Sequence, residues 1–266
     1  MRRRHVLMAV AALVVTGCTG DGDEAGRPGT PTLRPIEVTA TEYSFDLPAQ
    51  VTGGVVSMRL SNIGGLPHEF AFGRIEEGKT EADVKEVIES GQEPPDWAED
   101  IAGVPALSPG ESITVTRTLE PGSYAFLCFF PDPEGTPHAN LGMYEVFTIA
   151  GDTGLTLPEP DATITATEDG LQVPELAVGE QTVQFQNDGT KPHELVLAAL
   201  EPGKGLKDID GWIEGGYQGE PPVTFLGGMQ TIPSGESVFF TIDLEPGVEY
   251  TALDFQTNSR VTFTVS

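Results

Sequence analysis

The sequence predicts an all-β protein built from two Greek-key β-sandwich domains in tandem, each with one short helical insertion. The first observation behind this prediction is an internal repeat, because Asn62 and His68 recur as Asn187 and His193, each 125 positions later. The second is a series of short runs in which apolar and polar residues alternate, separated by Gly and Pro. A length of 266 residues leaves room for two domains of ordinary size.

Strand signals recur at short spacing in both halves of the chain. In the segment 113–118, Ile113 and Val115 alternate with threonine residues, as expected of a strand with one buried face. We predict strands at 36–41, 55–60, 69–72, 112–118, 123–129 and 144–149 in the first half, and at 162–166, 182–186, 237–242 and 261–265 in the second.

Each half also contains one segment with the period of a helix. In the first half, Thr80 and Asp83 have the spacing of a capping box at a helix start. Apolar residues then fall on one helical face, at Val84, Val87 and Ile88 in the first half and at Ile209, Trp212 and Ile213 in the second. We interpret Trp212 as a core contact, not as a platform for a ligand.

The N-terminus has the pattern of a processing signal. Three arginines at 2–4 precede an apolar stretch at 6–15, which is too short to span a bilayer. The sequence Val15-Thr16-Gly17-Cys18 resembles a bacterial lipobox, in which the cysteine becomes the lipidated first residue of the mature protein. An uncleaved anchor helix is the alternative interpretation.

These patterns give the domain organisation that we predict. The protein would be exported and anchored to the outer face of the cell membrane as a lipoprotein. The predicted divisions are a lipoprotein signal peptide with its lipobox cysteine at 1–18, a flexible tether at 19–35, a first domain at 36–150, a linker at 151–161 and a second domain at 162–266.

The formal charge of the chain is −27, and loss of the N-terminal arginines makes the remainder more acidic. Such a field repels nucleic acid and anionic lipid headgroups, so we expect no nucleic-acid partner. A strong negative charge favours cationic partners or increases the solubility of the protein.

The chain has two cysteines, and the lipobox accounts for Cys18. Cys128 is then an unpaired thiol in an oxidising compartment. It is either a buried cysteine that behaves as a small apolar residue or a metal ligand, because a metal-bound thiolate is protected.

The residues around Cys128 favour the metal ligand. The first half contains, in chain order, His68, Cys128, His138 and Met143. Two imidazoles and a thiolate with a weak axial thioether form the ligand set of a blue-copper electron-transfer site. The second half has Asp254 in place of Cys128 and lacks the segment that would supply the other two ligands.

The region 36–150 resembles the cupredoxins, the family of plastocyanin and azurin. The resemblance is carried by Gly65-Leu66-Pro67-His68, by Cys128-Phe129-Phe130-Pro131 and by His138-Ala139-Asn140-Leu141-Gly142-Met143. It implies one mononuclear type 1 copper bound by His68, Cys128 and His138, with Met143 as the axial ligand.

This sequence departs from the family pattern in two places. Nine residues separate Cys128 from His138, and the extra segment 132–136 is predicted to form a turn that bulges outward. Glu69 stands where plastocyanins have an asparagine that ties the two ligand loops together. A carboxylate there would lower the reduction potential if ionised, or could bind another group.

The leading prediction is a membrane-anchored electron carrier that meets a redox partner protein at the membrane surface. The resemblance further implies an apolar rim of Phe129, Phe130, Pro131 and Leu141 around an exposed edge of His138. A copper carrier or scavenger would use the same ligands. A metal-free tandem binding module is a third possibility. The second half keeps the corner Pro192-His193-Glu194 although it lacks the cysteine loop, which favours a structural role for the histidine of such a corner.

We do not predict an enzyme. Catalytic copper sites in multicopper oxidases and nitrite reductases need additional histidines, and the chain after Cys18 contains only His68, His138 and His193. For the second domain we predict packing against the first, spacing it from the membrane or docking a partner.

Overall fold

The structure is a computed structural model and describes residues 33–92 and 94–266. The described residues belong to one compact unit. Cys18, the predicted signal peptide and the tether as far as residue 32 lie outside them, so the division points predicted for the chain stay predictions.

Ten strands and one helix form the first half. In chain order they are β1 (Ile36–Thr41), β2 (Ser44–Asp46), β3 (Gln50–Thr52), β4 (Gly54–Asn62), β5 (His68–Ile75), α1 (Glu81–Ser90), β6 (Ala98–Asp100), β7 (Val104–Leu107), β8 (Ser112–Leu119), β9 (Gly122–Leu127) and β10 (Tyr144–Ala150). A single 3-10 turn, His138–Leu141, lies between β9 and β10.

Eight strands and one helix form the second half. They are β11 (Ala162–Thr167), β12 (Gly170–Gln172), β13 (Gly179–Asn187), β14 (His193–Leu200), α2 (Leu206–Glu214), β15 (Val223–Ile232), β16 (Ser237–Leu244), β17 (Glu249–Asp254) and β18 (Ser259–Thr264).

The strands build two sheets that both run through the two halves. One has eight strands in the order β12-β11-β13-β16-β8-β4-β1-β2, and the other has the order β18-β17-β14-β15-β7-β5-β9-β10-β3 with β6 paired to β5. Each half thus contributes strands to both layers of a sandwich, which confirms the predicted all-β class of two sandwiches in tandem.

The halves are joined edge to edge by paired strands. Packing of the second domain against the first was one possibility predicted from the sequence, whereas the pairing of their strands was not predicted. Strand β16 pairs antiparallel with β8, where Phe240 lies opposite Val115. Strand β15 pairs with β7, where Leu226 lies opposite Leu107. Each pairing closes sheet edges that would otherwise expose unpaired backbone groups.

An apolar core fills the space between the layers and continues from one half into the other. In the first half the ring of Phe72 stacks on Phe126 and Phe147, with centroids 4.8 and 5.9 Å away. Tyr124 stacks on Phe72 as well, at 5.3 Å. These aromatic contacts fix β5, β9 and β10 beside one another, and those strands lead into the candidate site.

The two helices pack through the apolar faces that the spacing predicts, each in a small cluster separate from the main core. Val84 and Ile88 of α1 are buried and pack with Ala139 of the 3-10 turn. Trp212 of α2 is buried among core residues, in agreement with its interpretation as a core contact. None of the helices in the described part of the chain is long and apolar enough to cross a bilayer.

Candidate metal centre

The corner that presents His68 is held by the side chain of Asn62. Its amide nitrogen donates to the carbonyl oxygens of Leu66 and Leu107, each at 2.8 Å. Its amide oxygen accepts from the N–H of Gly64 at 2.9 Å. Asn62 therefore ties the end of β4, the Gly64–Pro67 loop and the end of β7 together, and this fixes the position where β5 begins with His68.

A second polar group holds the same loop from outside. The carboxylate of Glu42 accepts hydrogen bonds from the N–H groups of Gly65 and Leu66. These bonds lower the pKa of Glu42, so the carboxylate remains ionised at neutral pH. A Cβ on Gly64 would lie 2.6 Å from Glu42 Oε1 and 3.0 Å from His68 Nε2, which explains the glycine at that position.

The other candidate ligands lie in the segment that joins β9 to β10. The N–H of Cys128 donates to the carbonyl of Met143 at 3.1 Å, and the N–H of Met143 donates to the carbonyl of His138 at 3.0 Å. The N–H of His138 donates to the carbonyl of Phe130 at 3.0 Å. The three residues are therefore fixed relative to one another by their own backbone.

The extra segment of this loop forms a closed turn, as predicted. Asp132 accepts at Oδ1 from the N–H groups of Glu134 and Thr136, at 2.9 and 2.8 Å. Pro131 and Pro137 form an isolated bridge at its base. The turn extends outward with Glu134 and Gly135 exposed, and His138 keeps its place beside Cys128.

Three candidate ligand atoms surround one point. His68 Nδ1 lies 3.1 Å from His138 Nδ1, and Cys128 Sγ lies 3.4 Å from His138 Nδ1 and 3.9 Å from His68 Nδ1. A point equidistant from the three atoms is about 2 Å from each, the length of a bond from imidazole nitrogen to a first-row metal ion. The geometry therefore fits a single bound metal ion.

The four residues predicted as ligands are all fully buried. His68, Cys128, His138 and Met143 each have 0% exposed surface. The structure brings the first three together at one end of the first sandwich, in the one cluster of metal-binding type found among the described residues. Met143 adjoins them through its backbone bonds to Cys128 and His138.

Burial sets the protonation of the three donors. Burial and the neighbouring His138 lower the pKa of His68 to about 4, and burial also lowers the pKa of His138. Burial, with the nearby Glu69, raises the pKa of the Cys128 thiol to about 12. At neutral pH both imidazoles are uncharged and free to bind a cation, whereas Cys128 must release its proton when a metal binds.

Glu69 connects the two ligand loops. Its carboxylate Oε1 accepts from the N–H of Phe129 at 2.6 Å, and its own N–H donates to Cys128 Sγ at 3.4 Å. Burial raises the pKa of Glu69 to about 7, although the bonds from Phe129 and Gln230 oppose the shift. The residue that departs from the plastocyanin pattern therefore still ties one ligand loop to the other.

The expectation that His138 presents an exposed edge is wrong. His138 is fully buried, because the ring of Tyr43 packs edge-on against it with centroids 5.1 Å apart and Phe130 lies 6.4 Å away on another side. Tyr43 has a positive φ of 66°, unusual for a residue other than Gly, in the two-residue turn between β1 and β2. Phe129 and Leu141 are exposed as predicted, at 50% and 41%.

Sequence reasoning missed two residues beside the site. Tyr43 precedes the ligands in the chain and has no motif of its own. Gln230 belongs to the second half, and its side chain donates to Glu69 Oε2 at 3.3 Å. Neither contact leaves a signal in residue spacing, because both depend on which strands become neighbours.

In the corresponding corner of the second half, the histidine pairs with a carboxylate. His193 Nδ1 lies 2.7 Å from Asp254 Oδ2, and both side chains have no exposed surface. Asp254 also accepts hydrogen bonds from Thr257 Oγ1 at 2.7 Å and from the N–H of Gln256 at 2.9 Å. The imidazole at this corner has a carboxylate partner and a structural role.

The cupredoxin-like architecture implied by the ligand loops is present, since each half is a two-layered sandwich and the loops of the first half meet at one of its ends. The chain matches no protein-family model and no curated protein.

Several solved structures are similar to parts of the chain. Reduced auracyanin from the photosynthetic bacterium Roseiflexus castenholzii is 29% identical over 44% of this chain and 96% of its own, with a TM-score of 0.31. Auracyanin A, a "blue" copper protein from Chloroflexus aurantiacus, is 21% identical over 44% of this chain and all of its own, with a TM-score of 0.30. Copper nitrite reductase from Nitrosomonas europaea is 14% identical over 88% of this chain and 94% of its own, with a TM-score of 0.27.

Proposed function

We propose that this protein binds one copper ion in a mononuclear type 1 centre and transfers electrons outside the cytoplasm. His68, Cys128 and His138 would hold the ion, and Met143 would be the weak axial ligand. The observation that carries the proposal is the buried triangle of two imidazole nitrogens and one sulfur, with sides of 3.1, 3.4 and 3.9 Å.

The donor set suits copper better than the other common protein metals. One thiolate favours Cu(I), imidazole accommodates Cu(II), and a structural zinc site would normally have four strong ligands. Bound copper would supply a one-electron couple between these two states. The described residues around the cluster include no carboxylate positioned as a fourth ligand, because Glu69 directs its Oε1 to the N–H of Phe129.

The protein's own contribution is to keep this geometry constant. Asn62 fixes the His68 corner, and backbone hydrogen bonds fix Cys128, His138 and Met143 to one another. The donor N–H of Glu69 directs a hydrogen bond to the sulfur, which withdraws charge from a thiolate and tunes its metal bond. A site that is rigid and closed to water needs little rearrangement when an electron arrives or leaves.

Burial of the ligands favours electron transfer over copper delivery. A protein that hands over copper needs a ligand that an incoming partner can reach, yet none of the four predicted ligands has exposed surface. The exposed side chains of Phe129 and Leu141 lie in the ligand loop and would form part of the surface that a redox partner contacts.

Export and membrane anchoring also belong to this proposal. They rest on the basic N-terminus, the short apolar stretch and the lipobox pattern that ends at Cys18. A lipid on Cys18 and the tether that follows would keep the metal centre near membrane redox partners at high effective concentration.

Redox cycling distinguishes an electron carrier from a copper carrier. The copper-loaded protein would be reduced with ascorbate and reoxidised with ferricyanide through several cycles, with copper measured after gel filtration. We expect a constant copper content and full recovery of the absorption spectrum. Loss of copper on each reduction would instead indicate copper delivery.

Anchoring is tested separately. Mass spectrometry of the N-terminal peptide should show a lipid on Cys18, and Cys18→Ala should move the protein from the membrane fraction to the soluble fraction. Recovery of the Cys18→Ala variant in membranes at the unmodified level would contradict lipid anchoring.

A further inference from the structure

The second half of the chain contacts Glu69, the residue after His68, through the side chain of Gln230. This residue belongs to β15, the strand that pairs with β7 of the first half. Its N–H donates to the carbonyl of Gly103 at 2.8 Å, and the N–H of Gly103 donates back to Gln230 Oε1 at 3.1 Å. Both the backbone and the side chain of Gln230 are therefore fixed against the first half.

The backbone at Gly103 leaves no room for a side chain. A Cβ on Gly103 would overlap the carbonyl oxygen of Phe70 and would lie 2.9 Å from Gln230 Oε1. Phe70 follows Glu69 on β5. The glycine thus lets the backbone just before β7 lie close to β5, where the side chain of Gln230 comes within hydrogen-bonding reach of Glu69.

Two hydrogen bonds connect Gln230 through Glu69 with the ligand sulfur, and a third ties Glu69 to Phe129. Gln230 Nε2 donates to Glu69 Oε2 at 3.3 Å. The other oxygen of Glu69 accepts from the N–H of Phe129 at 2.6 Å, and the N–H of Glu69 donates to Cys128 Sγ at 3.4 Å. Glu69 is thereby held between an amide of the second half and the residue after the cysteine.

The second half has a matching carboxylate whose partner is local. Burial raises the pKa of Glu194, and the N–H of Phe255 and the side chain of Gln256, which belongs to the same loop, oppose this shift. In the first half, Phe129 corresponds to Phe255, and the next residue is Phe130 instead of a glutamine. The first half therefore lacks the local donor, and Gln230 of the second half supplies one.

We propose that Gln230 is a positioning residue of the metal centre, and that the second half completes this centre by holding Glu69 against the backbone of the Cys128 loop. The proposal deepens the proposed function and rests on it for its copper measurements. Outer-shell partners of metal ligands have this role in other metal sites, where their loss lowers metal affinity about 10- to 100-fold.

Two substitutions distinguish the contact of Gln230 with Gly103 from its contact with Glu69. Gln230→Glu keeps an acceptor for the N–H of Gly103 and replaces only the donor that faces Glu69. Gln230→Met has a similar length and removes both contacts. Gln256→Met, which removes the equivalent partner of Glu194, is the matched control in the second half. Thermal unfolding establishes that each variant is folded before it is compared.

The first measurement uses copper-free protein. Hydrogen exchange of the Phe129 amide, followed by NMR, should become about tenfold faster in Gln230→Glu and Gln230→Met, because the carboxylate that accepts from this amide is released. The same amide should keep its wild-type rate in Gln256→Met. Unchanged exchange in both Gln230 variants would overturn the proposal.

The second measurement uses added Cu(II). Both Gln230 variants should bind copper about tenfold more weakly than the wild type and show a shifted thiolate-to-copper absorption band. Wild-type affinity and an unshifted band would overturn the role of Gln230 at the metal centre. If the wild-type protein itself gives no such band, the proposed function fails, whereas the Phe129 exchange rates still test the link between the halves.

Discussion

The loops that lead to His68 and His193 are held by the same frame of hydrogen bonds from an asparagine and a glutamate, but the two imidazoles face different side chains. Asn187 donates to the carbonyls of Lys191 and Ile232 at 2.8 and 2.9 Å, which repeats the bonds that Asn62 makes in the first half. Glu168 accepts a hydrogen bond from the N–H of Thr190, as Glu42 accepts one from the N–H of Gly65 in the corresponding loop of the first half. The frame is therefore a property of the repeated fold.

The difference lies in what each imidazole faces. His193 faces the carboxylate of Asp254 at 2.7 Å, whereas His68 faces a second imidazole and a thiol. A Pro-His-Glu corner alone is therefore no sign of a metal, and the interpretation of such a corner as structural is correct for the second half. The metal-binding geometry requires Cys128 and the loop that brings His138 beside it.

The largest difference between the corners should appear in copper retention. His68→Ala removes one of the three donors, so the protein should retain almost no copper after gel filtration. His193→Ala should retain the wild-type amount, since no donor of the first half is altered. Equal retention in the two variants would contradict the assignment of the metal centre to the first half.

His193 should matter for stability instead. In copper-free protein, His193→Ala leaves the buried Asp254 without its imidazole partner and should lower the free energy of unfolding by about 3 kcal/mol. Urea denaturation measures this change. The double variant His193→Phe/Asp254→Leu should recover part of the loss, because no unpaired buried charge remains. A loss in His193→Ala well below 1 kcal/mol would show that the pair is not structural.

The two asparagines should have equal effects if the frame is truly repeated. Asn62→Ala and Asn187→Ala each leave two carbonyls and one N–H without their partner, and each should cost about 2 kcal/mol of unfolding free energy. The measurement is urea denaturation of both copper-free variants. A large effect at one position and almost none at the other would show that the two frames differ in function.

The smallest expected effect is on the rate of copper reduction, and it depends on the two-residue turns β1–β2 and β11–β12. Tyr43 covers His138, and Asp169 takes its place in the turn of the second half. Tyr43→Gly should leave stability within about 1 kcal/mol, because lost ring contacts are offset by relief of the positive φ. It should speed reduction of the bound copper by a small hydrophilic reductant, measured by stopped flow.

Asp169→Gly is the control for this experiment and should leave the rate unchanged. A Tyr43→Gly variant that is reduced at the wild-type rate would show that the ring does not limit access to His138.

The predictions from the sequence were most accurate where apolar and polar residues alternate. The strand predicted at 112–118 is present as Ser112–Leu119, with Ile113 and Val115 buried. The strand predicted at 123–129 ends at Leu127, because Cys128 bonds through its carbonyl to the N–H of Ala139 in the ligand loop.

Two of the four strands that join the halves, β7 and β15, were missed for a physical reason. Strand β7 contains Pro105, which lacks an N–H, and β15 contains Gly227 and Gly228, both with positive φ. Pro and Gly normally indicate turns, so neither segment resembles a strand in sequence. The ligand types could be predicted from their order along the chain, whereas Tyr43 and Gln230 approach the site only through strand pairing.

A titration of the purified protein with Cu(II), followed by visible absorption and electron paramagnetic resonance, tests the central claim most directly. We predict an intense thiolate-to-copper band that saturates at one copper per chain and is absent in Cys128→Ser. A wild-type protein without this band, whose Cys128 thiol reacts freely in the presence of copper, would contradict the claim that the first half contains a type 1 copper centre.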